Sequence, residues 1–217
     1  GIKQMDDKQI AKLRSACTDF PEESPERKSR SKWFNVDVQG HVFRQLLAKD
    51  SSGPFLELGT WTGAGSTLYV ANTFKKLDVI CVDTWEGSEE HHRIEAYNKV
   101  RVNLWDHFCS NLWQDRSRVY PLRMTTVEGL RAVFAAGIEP EVIYVDAAHD
   151  EKSVYADVST ALLLFPKAKI CGDDYTPQAG GHPGVANALH RCITEGLFTR
   201  QEFKHRNRCW HLTRNLV

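Results

Sequence analysis

Residues 54–66 read Pro54-Phe55-Leu56-Glu57-Leu58-Gly59-Thr60-Trp61-Thr62-Gly63-Ala64-Gly65-Ser66. The first five form a short apolar run, a glycine turn follows, and residues 64–75 then carry a helical pattern. Strand, glycine turn and helix in that order let backbone approach a ligand closely, because glycine has no side chain to hold it off. The helix beyond the turn opens with N–H groups that lack intrahelical partners. The first two glycines are four apart, so this is not the G-x-G-x-x-G dinucleotide fingerprint. A tight turn with a purely structural purpose is the competing reading.

Downstream, the same rhythm repeats. Apolar strand-like runs fall at 77–83, 119–122, 142–145 and 168–171, separated by helical stretches at about 92–113, 126–136, 151–164 and 183–195. Continuously apolar strands alternating with helices indicate a parallel sheet covered on both faces. Two last alternating segments, near 199–204 and 208–213, have no long helix between them and suit an antiparallel hairpin at one edge. The expected fold is α/β, a Rossmann-like doubly wound, mostly parallel seven-stranded sheet with an antiparallel C-terminal hairpin. Upstream, helices are expected at 7–17 and 37–48, with a polar loop at 18–32. Residues 1–49 are read as an N-terminal helical extension or lid and 50–217 as the main domain.

At 217 residues the chain can bury a full core. Lysine plus arginine and aspartate plus glutamate both number 28, so the net charge is zero and gives no general argument for nucleic acid or an anionic membrane. The basic run Arg27-Lys28-Ser29-Arg30-Ser31-Lys32 is read as a solvated loop rather than a binding patch. No apolar run approaches the ~20 residues of a membrane span, and no signal peptide is visible. None of the six cysteines forms a C-x-x-C pair, and all are read as reduced and structural. A cytoplasmic setting is the expectation. A homo-oligomer remains open.

The chemistry lies at the strand ends. Asp83 closes the second strand, where a carboxylate can accept hydrogen bonds from a ribose diol or cap a helix. Trp85 can stack on an adenine or fill the core. Asp146 ends the fourth strand, and Asp173-Asp174 ends the fifth. Clustered carboxylates repel and are costly to desolvate, and a hard cation such as Mg²⁺ makes the arrangement favourable. Helix capping is the alternative, although Asp150 already supplies a cap after the fourth strand. His149 stands at the expected start of that helix, where the dipole disfavours imidazolium. It is either a neutral base or an ordinary surface histidine. His182 in Gly180-Gly181-His182-Pro183-Gly184 reads as a turn, His91-His92 as solvated, and Glu86 as a weak metal-facing candidate.

E-x-G-x-x-x-G after strand one, an acid ending strand two, D-x-x-H after strand four and D-D after strand five resemble the class I S-adenosylmethionine-dependent methyltransferases. Within them they resemble the metal-dependent O-methyltransferases of catechol, caffeoyl-CoA and macrocin type. Val145-Asp146-Ala147-Ala148-His149-Asp150 and Gly172-Asp173-Asp174-Tyr175 are most similar to the macrocin type. The resemblance implies S-adenosylmethionine held by Glu57, Gly59, Thr60, Gly63, Ser66, Asp83 and Trp85. It implies Mg²⁺ or another divalent cation on Asp146, Asp173 and Asp174, and His149 as general base. The acceptor is then a small molecule bearing a hydroxyl, such as a sugar, natural product or catechol-like diol. The turn Gly63-Ala64-Gly65-Ser66 is one residue longer than the usual glycine-x-serine, which leaves open whether Gly65 or Ser66 faces the cofactor. A metallohydrolase using the Asp/His cluster and a non-catalytic S-adenosylmethionine-binding module are the alternative readings.

Overall fold

The computed structural model describes residues 2–176 and 180–216. Its centre is a seven-stranded sheet in the order β3-β2-β1-β4-β5-β7-β6. The strands are β1 (Phe55–Leu58), β2 (Val79–Asp83), β3 (Val119–Arg123), β4 (Val142–Val145), β5 (Lys169–Gly172), β6 (Phe203–Arg206) and β7 (Cys209–Leu212). The first five run parallel, and β7 pairs antiparallel with both β5 and β6. This is the doubly wound sheet with a C-terminal hairpin expected from the sequence.

Strand alternation divides the core in two. Leu56, Ile80, Leu122, Ile143 and Ile170 face one layer, and Phe55, Val79, Cys81, Val119 and Tyr144 face the other. The first layer is closed by α1 (Asp7–Arg14), α7 (Thr126–Ala135), α8 (Glu151–Leu164) and α9 (Pro183–Thr194). The second is closed by α2 (Gln39–Leu46), α3 (Ser66–Thr73) and α6 (Leu104–Leu112). All six cysteines carry free thiols, and five of them are buried. Among the described residues no helix is long and apolar enough to cross a membrane.

The stretch expected as one helix over 92–113 is broken into three. They are α4 (Glu89–Arg93), α5 (Glu95–Arg101) and α6. Ile94 is extended (φ −103°, ψ 115°) and separates the first two. Neither α4 nor α5 buries a residue, whereas α6 buries Leu104, Phe108, Cys109 and Leu112. Helices this short hold only through tertiary packing, and residues 89–101 have no apolar stripe to align them on the core.

Candidate active site

The strand order reverses between β1 and β4, and in open α/β sheets ligands sit at such a switch point, beyond the carboxyl ends of the strands. Leu58 pairs with Val145, and Val145 pairs with Gly172. Gly59, Asp146 and Asp173 therefore leave three adjacent strands side by side. A cleft of about 400 Å³ lies there.

The glycine turn forms one half of the cleft. Gly59 has φ +85° and lies against the Asp146–Ala147 backbone. Gly63 has φ +72° and lies against Leu112 and Phe108. Asp83 anchors the turn, accepting from the backbone N–H of Thr60 at 2.8 Å, Trp61 at 3.1 Å and Trp85 at 2.8 Å. Burial pushes its carboxyl above the usual range, against the pull of those hydrogen bonds. Thr60 Oγ1 is buried in the cleft wall without a hydrogen-bond partner.

Gly59, Thr60, Ser66 and Asp83 line the cleft, and Gly65 and Ser66 both reach it. Three expected residues do not. Glu57 is wholly buried behind the turn, where it accepts from the hydroxyls of Ser66 and Thr67, the latter at 2.6 Å. Burial pushes its carboxyl up to about 7. Gly63 serves the packing of α6 instead of the cleft surface. Trp85 is a core residue, 3% exposed, with its ring centroid 4.6 Å from that of Phe108 and 4.9 Å from that of Trp105. An indole fixed there does not reach a ligand in the cleft. Trp61, Trp85 and Asp174 have left-handed φ values of 53°, 52° and 61°. Such conformations cost a non-glycine residue of order 1 kcal/mol and cluster at functional sites.

The acidic half differs in detail from the expected trio. Ligand atoms of Asp146, His149 and Asp174 lie within 4.8 Å of one another. Asp173 stands outside that set; its Oδ2 accepts from Gln39 Nε2 at 2.5 Å, and its Oδ1 is buried without a partner among the described residues. Burial, then Asp173, Asp174 and Glu57, push the Asp146 carboxyl well above the usual range. Asp174 moves the other way. Burial opposes the shift, but His149, Arg208 and His182 hold it low. His149 Nε2–H donates to Asp174 at 3.0 Å, and Nδ1 lies 3.3 Å from Glu90 Oε2. Burial would lower its pKa, yet the two carboxylates win and raise it. The two carboxylates at contact thus act against the helix end, which favours the neutral imidazole.

The remaining wall includes part of the expected N-terminal lid, but its individual aromatic residues were not foreseen. Trp33 lies parallel to His91 with centroids 5.7 Å apart, and its centroid lies 5.3 Å from that of Trp61 and 4.9 Å from that of Tyr97. All four rings line the cleft. The basic run is no free loop. Ser31 accepts from Thr62 Oγ1 at 2.7 Å through its carbonyl, and Ser29 O accepts from Asn111 at 2.8 Å. His91 is half-buried in the wall, whereas His92 is exposed as expected. Glu86 is exposed and does not border the cleft; Glu90 reaches the acidic cluster instead. A tryptophan following an alternating basic run was the available signal for Trp33.

A switch-point cleft with a glycine turn after β1, an acid ending β2 and a β7 hairpin beside β5 defines the class I S-adenosylmethionine-dependent methyltransferases. The chain belongs to the methyltransferase-domain family, whose profile matches residues 56–175. It is an enzyme that transfers methyl groups. No curated protein matches its sequence. Among solved structures it is similar to a precorrin-6y C5,15-methyltransferase from Geobacter metallireducens GS-15, at 10% identity and TM-score 0.53, over 78% of this chain and 75% of that one. A TDP-rhamnose 3′-O-methyltransferase of calicheamicin biosynthesis matches at 16% identity and TM-score 0.51, over 80% and 76%. The MycE methyltransferase of the mycinamycin biosynthetic pathway, in complex with Mg and SAH, matches at 13% identity and TM-score 0.50, over 80% of this chain and 48% of that one. At these identities the likeness is one of fold.

Proposed function

We propose that the enzyme methylates a hydroxyl oxygen of a small molecule and that a divalent cation at the acidic cluster assists it. The observation that carries this reading is the convergence of Asp146, His149 and Asp174 within 4.8 Å, on strand ends next to the glycine turn. The donor set suits a hard cation. Burial, and then its acidic neighbours, push the Asp146 carboxyl well above the usual range, and Asp173 Oδ1 is buried with no partner among the described residues. Asp146 and Asp174 would hold the ion, with Asp173 completing the negative field around it. A bound Mg²⁺ supplies Lewis acidity, which lowers the pKa of a hydroxyl beside it. That the MycE structure was solved with Mg supports a metal-assisted reading in general.

For the methyl donor, Gly59, Thr60, Gly65 and Ser66 would border its amino-acid end, and Asp83 its ribose. The cleft floor near Leu104, Met124 and Thr125 suits its adenine. S-adenosylmethionine would supply an electrophilic methyl group to the acceptor oxygen, and His149 would take the hydroxyl proton. Placing the reacting atoms in line at about 3 Å is the main catalytic contribution. The wall of Trp33, Trp61 and Tyr97 would hold the acceptor's ring.

The test is turnover of a hydroxylated-acceptor library followed by mass spectrometry, after EDTA treatment and after Mg²⁺ is restored. Activity lost to chelator and regained with Mg²⁺ is the expected result, and full activity in EDTA removes the metal from the reading. Because His149 must be unprotonated to accept, kcat should rise with pH through its raised pKa. His149→Gln should lower kcat by roughly 10²–10⁴-fold and flatten that limb. An unchanged profile would remove the base assignment.

A further inference from the structure

Two imidazoles stand together at the edge of the acidic cluster. The rings of His149 and His182 pack with centroids 3.7 Å apart. His149 precedes α8 and His182 precedes α9, so two separate loops deliver them. Glu90 arrives from α4, a third element, and its Oε2 lies 3.3 Å from His149 Nδ1. Ligand atoms of Glu90, His149 and His182 all lie within 4.8 Å of one another. This set shares no carboxylate with Asp146 and Asp174. His149 belongs to both, turning Nε2 to Asp174 and Nδ1 to Glu90, and His182 Nε2 also lies 3.9 Å from Asp174 Oδ1.

The donor chemistry of this second set differs from that of the first. Mg²⁺ takes oxygen ligands and binds imidazole poorly, whereas Zn²⁺ and its first-row neighbours favour imidazole nitrogen. Two histidines and one glutamate, with the fourth position left to water, form a familiar tetrahedral zinc set. With metal–ligand bonds of about 2.0–2.1 Å, tetrahedral geometry separates ligand atoms by about 3.3–3.4 Å. Glu90 Oε2 and His149 Nδ1 already stand 3.3 Å apart. His149 and His182 keep about three-quarters of their side-chain surface covered, and Glu90 half, so an ion has a route in and walls around it.

We propose that Glu90, His149 and His182 form a second divalent-cation site, selective for Zn²⁺-class ions over Mg²⁺. An ion there ties α4 to the loops before α8 and α9 and closes the acceptor half of the cleft. It also takes His149 Nδ1, which leaves the ring proton on Nε2 and no lone pair to accept another. Zn²⁺ therefore opposes methyl transfer even when Mg²⁺ is supplied. This effect on turnover rests on the reading of His149 as proton acceptor, but the binding itself does not.

The test uses metal-stripped enzyme titrated with Co²⁺ as a spectroscopic probe and then with Zn²⁺ in competition. The expected result is the intense visible absorption of four-coordinate Co²⁺, displaced by Zn²⁺ and not by an excess of Mg²⁺. Glu90→Gln and His182→Gln should each weaken Zn²⁺ binding by more than the ~10–100-fold that loss of an outer-shell partner costs. Asp146→Asn should leave it nearly unchanged. Wild-type Zn²⁺ affinity in both Glu90→Gln and His182→Gln, or loss confined to Asp146→Asn, would overturn the site. In Mg²⁺-supplied enzyme, Zn²⁺ should inhibit the wild type and inhibit His182→Gln far less. Tight Zn²⁺ binding without inhibition would keep the site and refute His149 as the base.

Discussion

Gly59→Ala should separate the strain of a left-handed backbone from the strain of a blocked strand junction. The added Cβ would fall onto the Asp146 carbonyl oxygen and lie 2.6 Å from Ala147 Cα and 2.7 Å from Asp146 C. Ordinary contact begins near 3.4 Å, so the backbone after β4 must retreat by about 0.8 Å or more. No side chain can yield instead. Gly59 N is held to Val82 O at 2.8 Å, and Asp146 N to Leu58 O at 2.9 Å. The backbone conformation itself costs alanine about 1–2 kcal/mol, and overpacking adds about 1–3 kcal/mol. Gly137→Ala is the control. It has φ +72° and nothing within 4 Å of the added Cβ, so it carries only the first cost. Urea unfolding should put Gly59→Ala at least about 1–2 kcal/mol below Gly137→Ala. Because Asp146 moves with the junction, turnover should fall by about 100-fold in the folded fraction, the scale of a 1 Å misplacement. Affinity for S-adenosylhomocysteine, read by calorimetry, should weaken as well. Equal stability in the two variants, with unchanged affinity and turnover in Gly59→Ala, would refute the claim that this close approach builds the site.

Two further predictions concern α8 and the aromatic wall. Asp157 on α8 is 1% exposed, accepts from the Thr126 hydroxyl and is pushed up by burial to about 6. Its unfolded pKa is about 3.9, so between these values the folded state holds a proton the unfolded state has lost. Stability must then fall as pH rises from about 4 through 6. Asp157→Asn should remove that loss and raise stability at pH 8 by up to about 3 kcal/mol; parallel urea midpoints for both proteins at pH 5 and pH 8 would exclude it. Trp33→Ala strips an exposed ring from the wall without touching the glycine turn's hydrogen bonds. The acceptor's KM should rise several-fold at constant affinity for S-adenosylhomocysteine, the signature of lost acceptor binding, whereas a KM unchanged for every acceptor turned over would remove Trp33 from the site.

Where local chemistry sets a boundary, the sequence was enough to find it. β4 begins and ends with the apolar run Val142–Val145, and α8 begins where Asp150 accepts from Ser153 N–H at 2.9 Å. Both matched expectation because a run of branched residues and a capping acid act within four residues. The cofactor turn was legible for the same reason. What the sequence could not show depends on distant partners. Asp173 lies in the expected motif, yet Gln39, 134 residues away, takes one of its oxygens. Glu57 reads as a ligand residue beside a glycine turn, but Ser66 and Thr67 fold back onto it. Trp85 was ambiguous in sequence because an indole suits an adenine and a core equally well. Only the positions of Trp105 and Phe108 decide between them.

The two halves of the cleft are built by different means, and this bears on how the enzyme can be specific. The donor half consists of backbone and acid on β1 and β2, braced by Val82 and Leu58 in the core. A substitution there meets close-packed main chain, as Gly59 shows. The acceptor half is completed by residues 29–33 and by α4 and α5, which bury none of their own side chains. Changes in such segments cost little stability, so they can alter the acceptor without disturbing the fold. The hydrogen bonds from Thr62 and Asn111 to Ser31 and Ser29 nonetheless fasten this wall to the glycine turn and α6. If this wall receives the acceptor, as proposed, these bonds would hold it in register with the glycine turn while the exposed residues around it vary.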